Sequence, residues 1–404
     1  MINMDDLPEA LLAEILYRVP CPKSIFRCKS VSKRWFHLIS APYFVRRLKQ
    51  KPMVSTLIVE ATDEILDPPL FEFLPMCEIT SSLSLSFYNT EPNVEATYND
   101  LVLSLLCNYH WEDPDCYSIC NPYTKQWLYL PPIPEVQGEL VERGMVYKGF
   151  LCDPLNPQHW NFVLLVPVSL GSAFHLQVWS SETREWRESV ISVPYPRAIR
   201  PVPQSKPSYG GVAFNGMLYW ICRDDSAMFT IEFDPFGSDD MSDHKCRFID
   251  GPGFEFRTYS IISVCAFQKC VRLCVQFGGS CFSVWEFKEE VVDSVGDKLK
   301  KWHLIVDRVS LNQFSRNCSD HDRIVLGFHP TNEDILYMRT PPNYSIVTYS
   351  IRDKTVERAI DAPEHLEHCF APFETVFPFV LPWLPTPVPS ENSTILWNIE
   401  TPKF

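Results

Sequence analysis

Apolar residues fall along this chain in two patterns. Over the first fifty positions the spacing is three and four: Leu7, Leu11, Leu12, Ile15, Leu16 and Val19 trace one stripe of a helix. Pro8 suits a first helical turn, where its missing N–H costs nothing. Asp5 and Asp6 precede it and favour the positive end of the helix dipole. Pro20 and Pro22 stop this element, and Pro22 can open the next. A second helix is expected over Lys23–Lys29, with Ile25, Phe26 and Cys28 apolar. A third is expected over Val31–Ile39, carrying Val31, Trp35, Leu38 and Ile39. Ser40-Ala41-Pro42 breaks it, and Tyr43, Phe44 and Leu48 mark a short fourth segment. Fifty residues bury too little surface for a comfortable core of their own. These helices are therefore either a cap on the chain behind them or a module completed by a partner, and spacing alone leaves both open.

From about residue 53 helical periodicity is hard to find and short strand-like runs take over. "VSTLIVEA", "SSLSLSFY", "LVLSLLC", "FHLQVWS", "GGVAFNGMLYWI", "MFTIEFD", "VRLCVQF", "FSVWEFK", "ILYMRT" and "SIVTYSI" are short, rich in Val, Ile and aromatics, and bounded by turn residues. "EEVVDSVGDKLKKW" is the longest mixed polar stretch and reads as a hairpin loop. A longer repeat overlies the strands. "CNPYTKQW" (120–127) and "WSSETREW" (179–186) both follow an apolar strand and place Thr three residues before Trp. "YSIRDKTVER" (349–358) is expected to be a further copy, with Arg358 at the Trp position. Two weaker copies fill the gap: one carries Asp234-Pro235, the other ends at Trp302. Repeats of roughly fifty residues, each about four strands, point to the blades of a β-propeller. Trp127, Trp186 and Trp302 are then expected to pack between blades rather than to stack on a ligand. Five units are clear. A divergent one at 53–90 is expected to be closed by "TVFPFVLPWL" or "STILWNIE" from the other end of the chain.

Charge separates the same two regions. The net charge is −14, but residues 1–50 carry nine Lys/Arg against four Asp/Glu, and the remainder carries 27 against 46. An acidic body argues against a phosphate-binding surface for nucleic acid, and a basic head suggests an acidic partner. The opening residues lack the pattern of a secretory signal. "NFVLLVPVSL" is too short to span a membrane. Fifteen cysteines without a C-x-x-C read as reduced thiols.

Recognisable catalytic signatures are missing: no G-x-S-x-G, P-loop, H-E-x-x-H or G-x-G-x-x-G. Cys107, His110, Cys116 and Cys120 have zinc-ligand side chains at a spacing that fits no regular site. Cys265, Cys270, Cys274 and Cys281 read as core thiols, and His365, His368 and Cys369 as part of a solvated loop. No metal or cofactor is expected. The Pro-rich stretch 195–211 carries Arg197, Arg200 and Lys206 and no acid. It is either a linker between blades or a contact for an acidic substrate segment.

"LPEALLAEILYRVPCPKSIFRCKSVSKRWFHLISAPYFVRRL", with Leu7-Pro8 and then Cys28-Lys29-Ser30-Val31-Ser32-Lys33-Arg34-Trp35, resembles an F-box. The resemblance implies docking on a Skp-type adaptor and, through it, on a cullin scaffold. Leu7, Pro8, Leu12, Ile15, Leu16 and Val31 would be the apolar anchors, with Lys29, Lys33 and Arg34 at a polar rim, while Trp35 and Phe26 would be internal. "CNPYTKQWLYLPP" and "GGVAFNGMLYWI" resemble the kelch-like propeller associated with plant F-boxes. Only Gly210-Gly211 and Gly278-Gly279 supply the paired glycines of that pattern. The expectation is a mainly β protein: a three-helix F-box over 1–50, then a kelch-like propeller of about six blades over 51–404. Its implied role is that of a non-catalytic substrate receptor of a ubiquitin ligase, in the cytoplasm or nucleus, with no nucleic-acid or membrane partner. The alternative is a propeller enzyme or small-molecule sensor with a helical cap.

Overall fold

The computed structural model describes residues 7–61, 70–74, 79–85, 92–106, 116–134, 146–152, 159–167, 173–193, 210–223, 228–237, 246–253, 260–291, 298–314, 324–340, 345–360 and 376–388. Asp5, Asp6, Cys107, His110, His365, His368, Cys369 and "STILWNIE" lie outside them.

The head forms four helices: α1 (Glu9–Tyr17), α2 (Pro22–Cys28), α3 (Lys33–Ser40) and α4 (Pro42–Leu48). Local chemistry sets their starts. Pro8 precedes α1, and Pro22 and Pro42 open α2 and α4, where no amide donor is missed. The Ser32 hydroxyl accepts from the Trp35 amide at 3.2 Å and caps α3. That cap starts α3 two residues later than the apolar spacing suggests and leaves Val31 in the preceding turn. Leu12, Leu16, Ile25, Leu38, Ile39, Phe44 and Leu48 make the core of this module, joined by Trp383 from the far end of the chain.

Beyond residue 53 the described residues form β1 (Val54–Ala61), β2 (Leu70–Phe73), β3 (Asn93–Tyr98), β4 (Leu101–Leu106), β5 (Cys116–Asn121), β6 (Gln126–Tyr129), β7 (Tyr147–Cys152), β8 (Trp160–Pro167), β9 (Ala173–Ser180), β10 (Trp186–Ser192), β11 (Val212–Phe214) and β12 (Met217–Arg223). The series continues with β13 (Met228–Phe233), β14 (Cys246–Asp250), β15 (Ser260–Ala266), β16 (Val271–Phe277), β17 (Cys281–Val291), β18 (Lys298–Ser310), β19 (Val325–His329), β20 (Asn332–Thr340), β21 (Ser345–Ser350), β22 (Thr355–Ile360) and β23 (Val376–Leu381). Five sheets are four-stranded meanders in chain order, from β3–β6 to β19–β22, and the sixth is β2-β1-β23. β3, β7, β11, β15, β19 and β23 neighbour one another around a ring, so the sheets are the blades of a six-bladed β-propeller. β23 pairs with β1 from Val54↔Leu381 to Val59↔Val376. The ring is thus closed by "TVFPFVLPWL", the first of the two segments expected to do so. "SSLSLSFY" does not form a strand over its described part: Thr80–Ser82 is a 3-10 turn, with the Ser82 hydroxyl donating to the Ile79 carbonyl. "EEVVDSVGDKLKKW", expected to be a hairpin loop, is strand over its described residues: Glu289–Val291 end β17 and Lys298–Trp302 begin β18, paired from Glu289↔Lys300 to Val291↔Lys298.

The repeated turn has a clear mechanism. Asn121 Oδ1 accepts from the amides of Tyr123 and Thr124 at 3.0 and 3.1 Å. The amides of Lys125, Arg184 and Lys354 bond back to the carbonyls of Asn121, Ser180 and Ser350. All three residues are left-handed, with φ of 58°, 59° and 58°. This fixed point corrects the register of the last copy. Trp127 and Trp186 face Cys120 and Trp179 across their hairpins, and the residue in that place opposite Tyr349 is Val356, not Arg358.

Tryptophans and charged side chains bind the blades to each other. Trp302 in β18 lies tilted against Phe287, ring centres 5.1 Å apart, and donates from Nε1 to the Thr230 hydroxyl of the preceding blade at 3.0 Å. Trp186 packs into the core shared by the second and third blades. Trp127 differs, since it lies exposed on an outer strand. Lys148 meets Glu95 at 2.6 Å between the second and third blades, and Lys300 meets Glu232 at 2.7 Å between the fourth and fifth. Arg272 holds Glu286 on its own blade and the Glu333 carbonyl on the next. Among the described residues no helix is long and apolar enough to cross a membrane.

Candidate functional site

Two surfaces have the makings of a site: the outer face of the helical module and the central channel of the ring. In α1, consecutive residues are rotated by about 100°, so Leu11 and Ile15 share one side while Leu12 and Leu16 share another. Leu12 and Leu16 are sealed in the module's core, whereas Leu11 is 55% and Ile15 42% exposed. The structure therefore corrects the expected anchors: Leu12 and Leu16 are spent internally and present nothing outward. Val31 is 62% exposed; Pro8 and Lys33 are exposed and Leu7 is half-buried. The Arg34 guanidinium donates to the Leu7 carbonyl. That bond brings the start of α1 beside the first turn of α3, so Leu7-Pro8 and Val31–Lys33 share one corner.

Three exposed residues escaped the sequence reading as outward-facing groups: Leu11, Phe36 and Tyr43. Leu11 could have been found from its i, i+4 relation to Ile15. Phe36 and Tyr43 carry no such signal. The Lys29 ammonium sits 6.0 Å from the Phe36 ring centre, and burial holds its pKa below the ordinary lysine value. Phe26 is not internal as expected. It is half exposed and meets the Tyr123 ring of the propeller edge-on at 6.4 Å, while Trp35 packs against the module's core. Glu14 is drawn below the usual carboxylate range, first by its bond to Arg47 (2.7 Å) and also by Arg18. The Arg47 contact ties α1 to α4.

The channel holds a cavity of about 690 Å³. Its wall comes from the inner strands and the turns that follow them, including Glu95, Asn99, Lys269, Asn332 and Asp334. At Gly210-Gly211 the wall packs too closely on Trp220 for a side chain: a Cβ on Gly211 would lie 2.8 Å from the indole, whose Nε1 donates to the Lys148 carbonyl at 3.0 Å. Among the described residues no group of three or more His, Cys, Asp or Glu could hold a metal ion. Burial pushes the Cys265 and Cys270 thiols up to about 12, so both stay protonated and unreactive at neutral pH. Arg197, Arg200 and Lys206 lie outside the described residues.

Residues 77–376 match the family described as "F-box protein At3g26010-like, beta-propeller", and residues 4–51 match the one described as "F-box-like". Among similar Arabidopsis thaliana proteins, "F-box protein At5g49610" is 29% identical over 53% of this chain and 58% of its own length. "Putative F-box protein At1g30920" is 28% identical over 56% of each. The chain thus spans a little over half the length of these two relatives. "F-box protein At3g26010" is 23% identical over 90% of this chain and 82% of its own. Among solved structures, an alpha-L-arabinofuranosidase of Fusarium graminearum aligns over 68% of this chain and 85% of its own at 12% identity, with a TM-score of 0.34. That likeness is too weak to bear on function.

Proposed function

The chain belongs to the At3g26010-like β-propeller family of F-box proteins, and on that premise we propose that it is the substrate-recognition subunit of a cullin-type ubiquitin ligase. The helical module docks on a Skp-type adaptor, and the propeller holds the protein to be modified. The chain makes and breaks no bonds itself. It supplies proximity, holding a target lysine near a charged ubiquitin-conjugating enzyme. Work in the cytoplasm or nucleus is part of this proposal.

The observation that carries it is the outward face of the module. Leu11, Ile15 and Val31 are each about half exposed, beside a core that already seals Leu12 and Leu16. Exposed basic Lys33 sits at the same corner, where it would speed encounter with an acidic partner more than it would add affinity. Large apolar groups rimmed by charge mark a docking surface.

The test is reconstitution. The full chain, mixed with a Skp-type adaptor, is expected to elute as an equimolar complex. Leu11→Asp combined with Ile15→Asp is expected to abolish the complex while leaving the propeller's thermal unfolding in place. Failure of the unaltered chain to bind any Skp-type adaptor would overturn the proposal.

A further inference from the structure

The last described stretch, 382–388, reads Pro-Trp-Leu-Pro-Thr-Pro-Val and belongs to no helix or strand. Prolines at 382, 385 and 387 favour a stiff extended chain with little conformational entropy to lose on docking. The segment bridges the two parts of the molecule. At one end Trp383, 7% exposed, completes the core of the helical module. Its Nε1 donates to the Pro52 carbonyl at 2.9 Å. The Lys51 ammonium lies 3.6 Å from its ring centre and donates in turn to the carbonyls of Tyr17 and Val19 at 2.7 and 3.1 Å. The indole is therefore pinned to the end of α1.

Three residues on, the segment is held by the second blade. The Thr386 amide donates to Asp100 Oδ2 at 2.9 Å, and the Thr386 carbonyl accepts from Asn121 Nδ2 at 2.9 Å. Asn121 also donates to Asp100 Oδ2 at 2.7 Å. Val388 is buried in the core of the second and third blades.

We propose that residues 382–388 are a clamp that locks the helical module onto the propeller in one orientation, engaged only when β23 has closed the ring. Two parts of a chain joined by a short linker move relative to one another unless a substantial apolar interface holds them. Here α4 and β1 are joined by residues 49–53, and the contact of Phe26 with Tyr123 is a single pair of rings. The clamp is a second connection, placed so that the final strand of the ring and the last piece of the module's core are neighbours in sequence. Its use in orienting the adaptor-docking face rests on the ligase reading, whereas its existence does not.

The test uses the full chain and two readouts, amide hydrogen exchange and small-angle scattering. Trp383→Ala is expected to speed exchange at least tenfold in α1 and α4, to lengthen the maximum particle dimension, and to leave the amides of β7–β18 protected. Trp383→Phe, which keeps an aromatic plug, is expected to retain most of the protection. Thr386→Pro removes the amide donor to Asp100 but leaves the tryptophan in place, and it is expected to loosen the module to a lesser degree. It also serves if Trp383→Ala fails to fold. Unchanged exchange in α1 and α4 in Trp383→Ala, or in Thr386→Pro if the first cannot be made, would overturn the clamp. Adaptor binding by the unaltered chain is scored separately, so failure of the ligase reading is distinguishable from failure of the clamp.

Discussion

Ile15 and Leu16 are neighbours in sequence, yet their replacement should act on different properties. Fully burying a Val, Leu or Ile side chain is worth about 1.5–3 kcal/mol. Leu11, Ile15 and Val31 have roughly half of that still available, because each remains about half exposed. Each should contribute about 1 kcal/mol on docking. Replacing all three with Ala should therefore cost about 3 kcal/mol, on the order of a hundredfold in Kd. The same triple change touches little of the module's core, so its thermal unfolding should barely move. Leu16 is 1% exposed and packs with Leu12, Ile25, Leu38 and Phe44. Leu16→Ala should leave a cavity and cost about 2–5 kcal/mol of stability, while the molecules that remain folded bind with near-normal affinity. Titration calorimetry against a Skp-type adaptor reads the first effect, and exchange protection of α1–α4 reads the second. A triple variant that binds within threefold of the parent, or a Leu16→Ala variant that loses affinity with its protection intact, would refute this division between docking and core residues.

Three other outcomes follow from the propeller. Arg272→Ala strips Glu286 and the Glu333 carbonyl of their donor, and should cost about 3–5 kcal/mol in denaturant unfolding, partly recovered by adding Glu286→Ala. Gly149→Ala would set a methyl 2.6 Å from Trp220 and 2.7 Å from Leu218; displacing a fully buried indole should cost about 1–3 kcal/mol and shift tryptophan fluorescence, and an unchanged spectrum and midpoint would refute it. Burial raises the Asp100 carboxyl to about 6, against the opposing bonds from Thr386 and Asn121. The folded state then holds this proton more tightly than the unfolded one, so Asp100's contribution falls as pH rises from about 4 to about 6 and is level above. The stability difference between the parent and Asp100→Asn should change by about 3 kcal/mol over that window, and a constant difference would show that the side chain titrates normally.

The amino-acid sequence alone determined the elements whose causes are local. Pro22, Ser32 and Pro42 start helices through bonds or missing donors within one turn. Short runs rich in Val, Ile and aromatics mark β9, β13, β16 and β21 as strands, and the hairpin turn of Asn121 shows in its own residues. The ring was legible as well, because one unit is written several times over. The tertiary structure decided what depends on distant partners. Whether Leu12 or Ile15 looks outward depends on how α1 is rotated against α3 and α4, and one apolar stripe in the sequence fits several rotations. The alignment of Val356 rather than Arg358 with Trp127 and Trp186 was set by the left-handed residue of each turn, which no side-chain type announces. The destination of Trp383 lay furthest out of reach. Its hydrogen-bond partner is 331 positions away in sequence, and the two ends meet only because closing a six-bladed ring returns the last strand to the first.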